Sequence, residues 1–246
     1  MFFNQAIANY SQVVTAAGGY SKNIVTDGLM CYLDAGISTS NPGSGTTWYD
    51  LTPNAYNFTL VNGAAFGGSG ASAYVSFDGT NQYASNDSSV LSQIGGLSGF
   101  TYQLFVQPDA ASEEDIYATN GIGSEGSFLV MFYQNNFVRN HLWTNGGIGV
   151  PDNNTGGGIT GNRQGVGGGA NWSLTRVYAY RTDPTVSTVY VTPSGTQPTS
   201  AYTGNQIGTR ERSSGAFFNG KVYNMVVYNR SLSDTEIAQN WTALSF

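Results

Sequence analysis

The alternation of apolar and polar positions is clearest near the C-terminal end. From Lys221 to Tyr228 both registers are apolar: Tyr223, Met225 and Val227 on one face, Val222, Val226 and Tyr228 on the other. A strand that is apolar on both faces belongs in the middle of a structure, with cover on each side. Asn229 and Arg230 break the run. Ser233 then precedes Glu236 by three residues, the spacing of a capping box, and Leu232 and Ile237 take the two positions of a hydrophobic staple. Asp234 adds a carboxylate to the first turn, where the helix dipole favours it. Ile237 and Trp241, four apart, share one face. The pattern predicts a strand followed by a capped helix.

Upstream, the same reading predicts strands at Gly28–Ala35, Phe58–Val61, Tyr74–Phe77, Tyr83–Ala84, Phe100–Val106, Ile116–Ala118, Phe128–Tyr133 and Phe137–Trp143. Trp172–Tyr180 and Thr185–Val191 form a predicted hairpin, and Ile207 and Phe217–Phe218 complete the set. Turn formers separate them, among them Asn62-Gly63 and Asp78-Gly79. Between Asn145 and Gly169, eleven of 25 residues are Gly; with little apolar content, this stretch is expected to be a long loop. About twelve short strands with one helix describe an all-β chain, a two-sheet antiparallel jelly-roll sandwich. Ahead of it, Phe3, Ile7, Tyr10 and Val14 fall at helical spacing before Gly18-Gly19. Residues 1–22 are therefore read as an N-terminal arm and residues 23–246 as one domain.

The closing stretch "NGKVYNMVVYNRSLSDTEIAQNW" resembles the last strand and short helix of concanavalin A-like jelly rolls of the laminin-G-like type. Further similarity follows in family order: "GLMCYLDAG" at Gly28–Gly36, "PGSGTTWYDLTPNAYNFTLVNGAAF" at Pro42–Phe66, "YVSFDGTNQY" at Tyr74–Tyr83 and "FTYQLFVQPD" at Phe100–Asp109. The resemblance implies the same sandwich. It implies less about function, because the fold hosts lectins, glycosidases and packing modules alike.

Composition narrows the functional classes. Only 10% of the 246 residues are charged, against about 25% in ordinary soluble domains. The formal net charge is −6, with nine Lys and Arg scattered along the chain. No basic patch is present to neutralise phosphates, so nucleic acid is not expected as a partner. The first residues show no basic segment followed by a long apolar run, so neither a signal peptide nor a membrane span is expected. The single cysteine, Cys31, sits in an apolar strand and reads as a buried, inert thiol.

Candidate chemistry is sparse. Glycoside hydrolysis needs two carboxylates facing one cleft, which on a strand means alternate positions. The one acidic cluster, Glu113-Glu114-Asp115, is contiguous and reads as a solvated turn. His141 is the only histidine, so a two-histidine metal site is excluded. Gly121 to Gly126 matches G-x-G-x-x-G, but the sequence after it is β-like and offers no helix N-terminus to a pyrophosphate. Calcium is conceivable at Asp34, Asp50 and Asp78, although the family's acidic pair after "FDG" is replaced here by Asn81-Gln82. The favoured alternative is that these aspartates bond backbone amides in turns. No cofactor is expected. For sugars, the candidates are aromatic and basic residues beside polar loops: Trp143, Arg163, Trp172, Tyr202 and Arg210.

Taken together, the sequence leads to the expectation of a non-enzymatic structural protein of a virus particle. It would be a bacteriophage capsid decoration or fibre-associated protein, assembled in a host cytoplasm. The arm residues Phe3, Ile7, Tyr10 and Val14 would contact other virion proteins, a major capsid or fibre protein, in a multimeric assembly. The alternative is a carbohydrate-binding module or adhesin that recognises host glycans.

Overall fold

The structure is a computed structural model. It describes residues 22–87, 97–109, 114–121, 127–134, 137–144, 147–149, 152–153, 160–174, 176–182, 186–192, 202–209 and 217–245. In chain order the strands are β1 (Leu29–Asp34), β2 (Thr47–Trp48), β3 (Phe58–Val61), β4 (Ala65–Gly67), β5 (Tyr74–Asp78), β6 (Tyr83–Asn86), β7 (Gly99–Pro108), β8 (Glu114–Gly121) and β9 (Ser127–Gln134). They continue with β10 (Phe137–Thr144), β11 (Gly147–Gly149), β12 (Asp152–Asn153), β13 (Gln164–Asn171), β14 (Arg176–Thr182), β15 (Val186–Val191), β16 (Tyr202–Ile207) and β17 (Asn219–Tyr228). The helix α1 (Asp234–Leu244) closes the described chain.

All pairings are antiparallel and fall into two sheets. One has the order β15-β14-β13-β7-β17-β5-β4, with β1 also on β17; the other runs β11-β10-β9-β8-β16-β6-β3-β2, with β12 on β10. The expected two-sheet jelly-roll sandwich with a short C-terminal helix is what forms. Residues 1–21 of the predicted arm, with Phe3, Ile7, Tyr10 and Val14, lie outside the described residues. No described helix is long and apolar enough to cross a membrane.

The two-faced β17 pattern has the expected cause. The first sheet is covered on one side by the second sheet and on the other by α1 with Ile24, Val25 and Ile37. Alternation along β7 shows this directly. Phe100, Tyr102, Leu104 and Val106 enter the core between the sheets, and Phe105 enters the core under α1. Thr101 and Gln103 share the Phe105 register, and both are buried. Each is satisfied there: the Thr101 hydroxyl donates to Arg230 O and accepts from Leu232 N, and Gln103 Nε2 donates to Ile237 O.

The expected faces of β17 are corrected at two residues, Val222 and Tyr223. A bulge lies between Val222 and Asn224, where the register against β7 shifts. An extra residue in one strand places two successive side chains on the same side. Tyr223 therefore joins Val226 and Tyr228 under α1, and Val222 joins Met225 and Val227 between the sheets.

The Gly-rich stretch is also corrected. Its last part is β13, a central strand paired to β7 on one side and β14 on the other, with Gln164 to Ala170 buried. Glycine is a poor strand former in isolation, but here close packing requires the absence of a side chain: Gly165 lies beneath Trp241 of α1. Gly147–Gly149 and Asp152–Asn153 are strands as well. Glu114 and Asp115 do not form a turn; they begin β8 and pair with Tyr133 and Phe132.

The helix start matches its sequence signature. Glu236 N donates to Ser233 Oγ, Ser233 N donates to Glu236 Oε2, and Leu232 and Ile237 pack in the same core. Asn240 anchors the middle of the helix. Its side-chain oxygen accepts from Val25 N at 2.8 Å, and its nitrogen donates to Gln103 Oε1 and to Tyr228 Oη.

A candidate carbohydrate-binding cleft

Where β13 ends, the chain makes a single 3-10 turn, Trp172–Leu174, before β14. This turn, the edge strand β15 and the start of α1 enclose an open cleft of about 460 Å³. Its lining includes Asn171, Leu174, Tyr190, Ser231 and Asp234. Two large apolar side chains stand open here, Tyr190 at 48% exposure and Leu174 at 58%. Alternation on an edge strand explains Tyr190: no described strand lies beyond β15.

The polar groups of the cleft are partly committed and partly open. Tyr190 Oη donates to Asp234 Oδ1 at 3.0 Å, which holds the ring beside the helix start. Asp234 Oδ2 makes no hydrogen bond among the described residues. Asn171 Oδ1 accepts from Leu174 N, which leaves the Asn171 amide nitrogen without a partner among the described residues. One aromatic face, one free donor and one free acceptor thus share a single opening. Behind them, Arg230 donates to both carboxylate oxygens of Glu236 and also pairs with Asp27 at 2.8 Å. Those Arg230 hydrogen bonds, with the Ser233 amide, hold the Glu236 carboxyl down to about 2.

None of the sugar candidates named from the sequence is among the described lining residues. Arg163 clamps the core under α1. Its guanidinium lies 3.9 Å from the centre of the Tyr223 ring and donates to Ala71 O and Leu244 O. Burial lowers its pKa from the ordinary arginine value. Trp172 packs against the core between the sheets, and its indole nitrogen is buried. Both are half-buried. Trp143 lies in β10 opposite Ile148, and Tyr202 lies in β16 opposite Gly121. Arg210 lies outside the described residues.

The aspartates considered for calcium do bond backbone amides. Asp50 accepts from Tyr32 N, Thr52 N and Tyr56 N. Asp34 accepts from Gly36 N, Tyr32 Oη and Lys22 Nζ, and Asp78 accepts from Thr80 N. Cys31 is fully buried, and burial beside Asp50 raises its thiol pKa.

The residues that line the cleft carry little signal in one dimension. Tyr190 ends the alternating run "VSTVYV", and Asp234 looks like an ordinary first-turn acid. Asn171 to Asp234 spans 63 positions, which only strand pairing and the helix return bring together.

Several solved structures share the fold. A Trypanosoma rangeli sialidase in complex with sialic acid is similar at 18% identity and TM-score 0.61, over 93% of this chain and 35% of the other. The receptor binding domain of botulinum neurotoxin C/D mosaic serotype is similar at 10% identity and TM-score 0.62, over 87% and 51%. The binding domain of botulinum neurotoxin DC in complex with SialylT is similar at 11% identity and TM-score 0.62, over 89% and 52%. The chain thus spans about a third of the sialidase and about half of the toxin domains. At these identities the likeness is one of fold. No protein-family model matches the sequence, and no curated protein matches it.

The sialidases overturn the expectation of a non-enzymatic protein, since this architecture occurs within enzymes. The lack of an alternating carboxylate pair within one sandwich is no argument against an enzyme, because a catalytic set can be completed by residues outside that sandwich.

Proposed function

We propose that the chain recognises carbohydrate through the cleft between β15 and the start of α1. The observation that carries this reading is Tyr190, a half-exposed ring at a cleft that also holds a free amide donor and a free carboxylate acceptor. A sugar ring has an apolar face of C–H groups that stacks on an aromatic, and hydroxyls that need both donors and acceptors; a concave site with a few convergent polar groups suits it. The likeness of fold to a sialidase bound to sialic acid and a toxin domain bound to SialylT supports the same class of ligand. The virion role suggested by the sequence takes second place, because none of the three named structures is a virion protein. A location on a virus particle would still be consistent with glycan recognition, since a displayed sandwich would meet host glycans.

The test is a glycan array probed with the full chain, followed by titration of the best ligand. Tyr190→Ala should weaken binding at least about tenfold, the equivalent of roughly 1.4 kcal/mol, as loss of an aromatic platform does. Failure to retain any glycan, or undiminished binding by Tyr190→Ala, would overturn the proposal.

A further inference from the structure

The charge around the cleft bears on which sugars it takes. Asp234 and Glu236 both line it, and no Lys or Arg does among the described lining residues. Arg230, behind the cleft, is engaged: one guanidinium faces the carboxylates of both Glu236 and Asp27. Asp234 bonds only a neutral phenol. The helix dipole favours anions at this end, but the Ser233 and Glu236 amides are taken by the capping box and the Asp234 carboxylate already occupies the first turn. The Glu236 carboxyl is held down to about 2 by Arg230, so it stays ionised at neutral pH.

From this we infer that the cleft selects uncharged sugars and discriminates against sialylated or otherwise anionic ones, with Asp234 as the specificity-determining residue. The inference rests on the carbohydrate-binding reading above. It also separates this chain from the neighbours that were captured with sialic acid and SialylT. A sugar carboxylate placed within about 4–6 Å of Asp234 would meet a like charge across partly solvated space. At an effective dielectric between those of water and a protein surface, that repulsion corresponds to roughly a fivefold to a hundredfold loss in affinity. It would be screened by salt, because the site is open. A neutral pyranose loses nothing by the same contact: its hydroxyls can donate to the free Asp234 Oδ2, and a carboxylate cannot.

The experiment uses the full chain and a panel of neutral oligosaccharides, each matched with its sialylated counterpart, titrated in about 20 mM and about 150 mM salt. Within each pair that binds, the neutral member should bind at least about fivefold more tightly at low salt, and the ratio should shrink at high salt. Asp234→Asn removes the charge, keeps an acceptor for Tyr190 and leaves the cap untouched. It should bring the ratio towards one, with the melting temperature lowered only by the small helix-dipole stabilisation that the carboxylate supplies. Equal or tighter binding of the sialylated members would overturn the charge selection while leaving carbohydrate recognition standing. An unchanged ratio in Asp234→Asn would remove Asp234 from the role. Binding of no member of any pair would overturn both proposals together.

Discussion

The indole of Trp241 occupies the space that a side chain at Gly165 would fill, so helix and sheet meet at a residue without a Cβ. Phe105, paired with Gly165 across β7 and β13, closes the niche edge-on, 5.0 Å from the Trp241 ring centre. Gly165→Ala should therefore overpack the helix–sheet contact and destabilise the fold by about 1–3 kcal/mol. Denaturant unfolding monitored by tryptophan fluorescence checks this. A stabilised variant would mean that the helix can move away from the sheet without cost.

Asn240 is the next point of attachment. Its amide joins Val25, Gln103 and Tyr228 in a fully buried network. Asn240→Leu keeps the size but strands the Val25 N–H and the Gln103 carbonyl. Each buried orphan costs about 1–3 kcal/mol, so this variant should lose more stability than Ser233→Ala, in which only a cap is lost at about 1 kcal/mol. The two unfolding midpoints, measured side by side, give the order.

Glu236 links the helix cap to pH. Its carboxyl is held down to about 2 from an ordinary 4.5, first by Arg230 and then by Ser233. A group whose folded pKa is depressed stabilises the fold above its unfolded pKa and ceases to do so as the pH falls through the folded value. The contribution should be complete above about pH 5 and should fade between about 4.5 and 2. Glu236→Gln should be less stable than the parent at pH 7, and the difference should close across that acid window in urea melts.

Arg163 distinguishes a structural arginine from a sugar ligand. Arg163→Ala removes a cation–π contact and two hydrogen bonds to backbone carbonyls. The expected result is a loss of about 1–3 kcal/mol in stability, with glycan preference unaltered. A changed glycan profile in a normally folded variant would restore Arg163 as a binding residue.

Cys31 should resist a thiol reagent in the native state, because the thiolate is the reactive form and burial beside Asp50 disfavours it. Labelling should require unfolding. Rapid native labelling would show that β1 opens readily.

The features that could be read in one dimension were those decided within a few residues. The capping box at Ser233 and Glu236, the staple of Leu232 and Ile237 and the boundaries of β3 depend on local hydrogen bonding and alternation, which nearby residues carry. The two-faced apolar pattern of β17 correctly placed it at the centre. What stayed hidden depended on partners distant along the chain. A one-residue bulge at Val222–Asn224 reassigned Tyr223 because a period of two has no tolerance for an insertion. The glycines of β13 looked like a loop because strand propensity measures side-chain packing, and here the packing is supplied by Trp241 from another element. Arg163 and Trp172 looked like sugar contacts by residue type, but burial turned them inward. The cleft was invisible for the same reason: Asn171, Tyr190 and Asp234 have separate local roles, and only the return of α1 across the sheet edge makes them one surface.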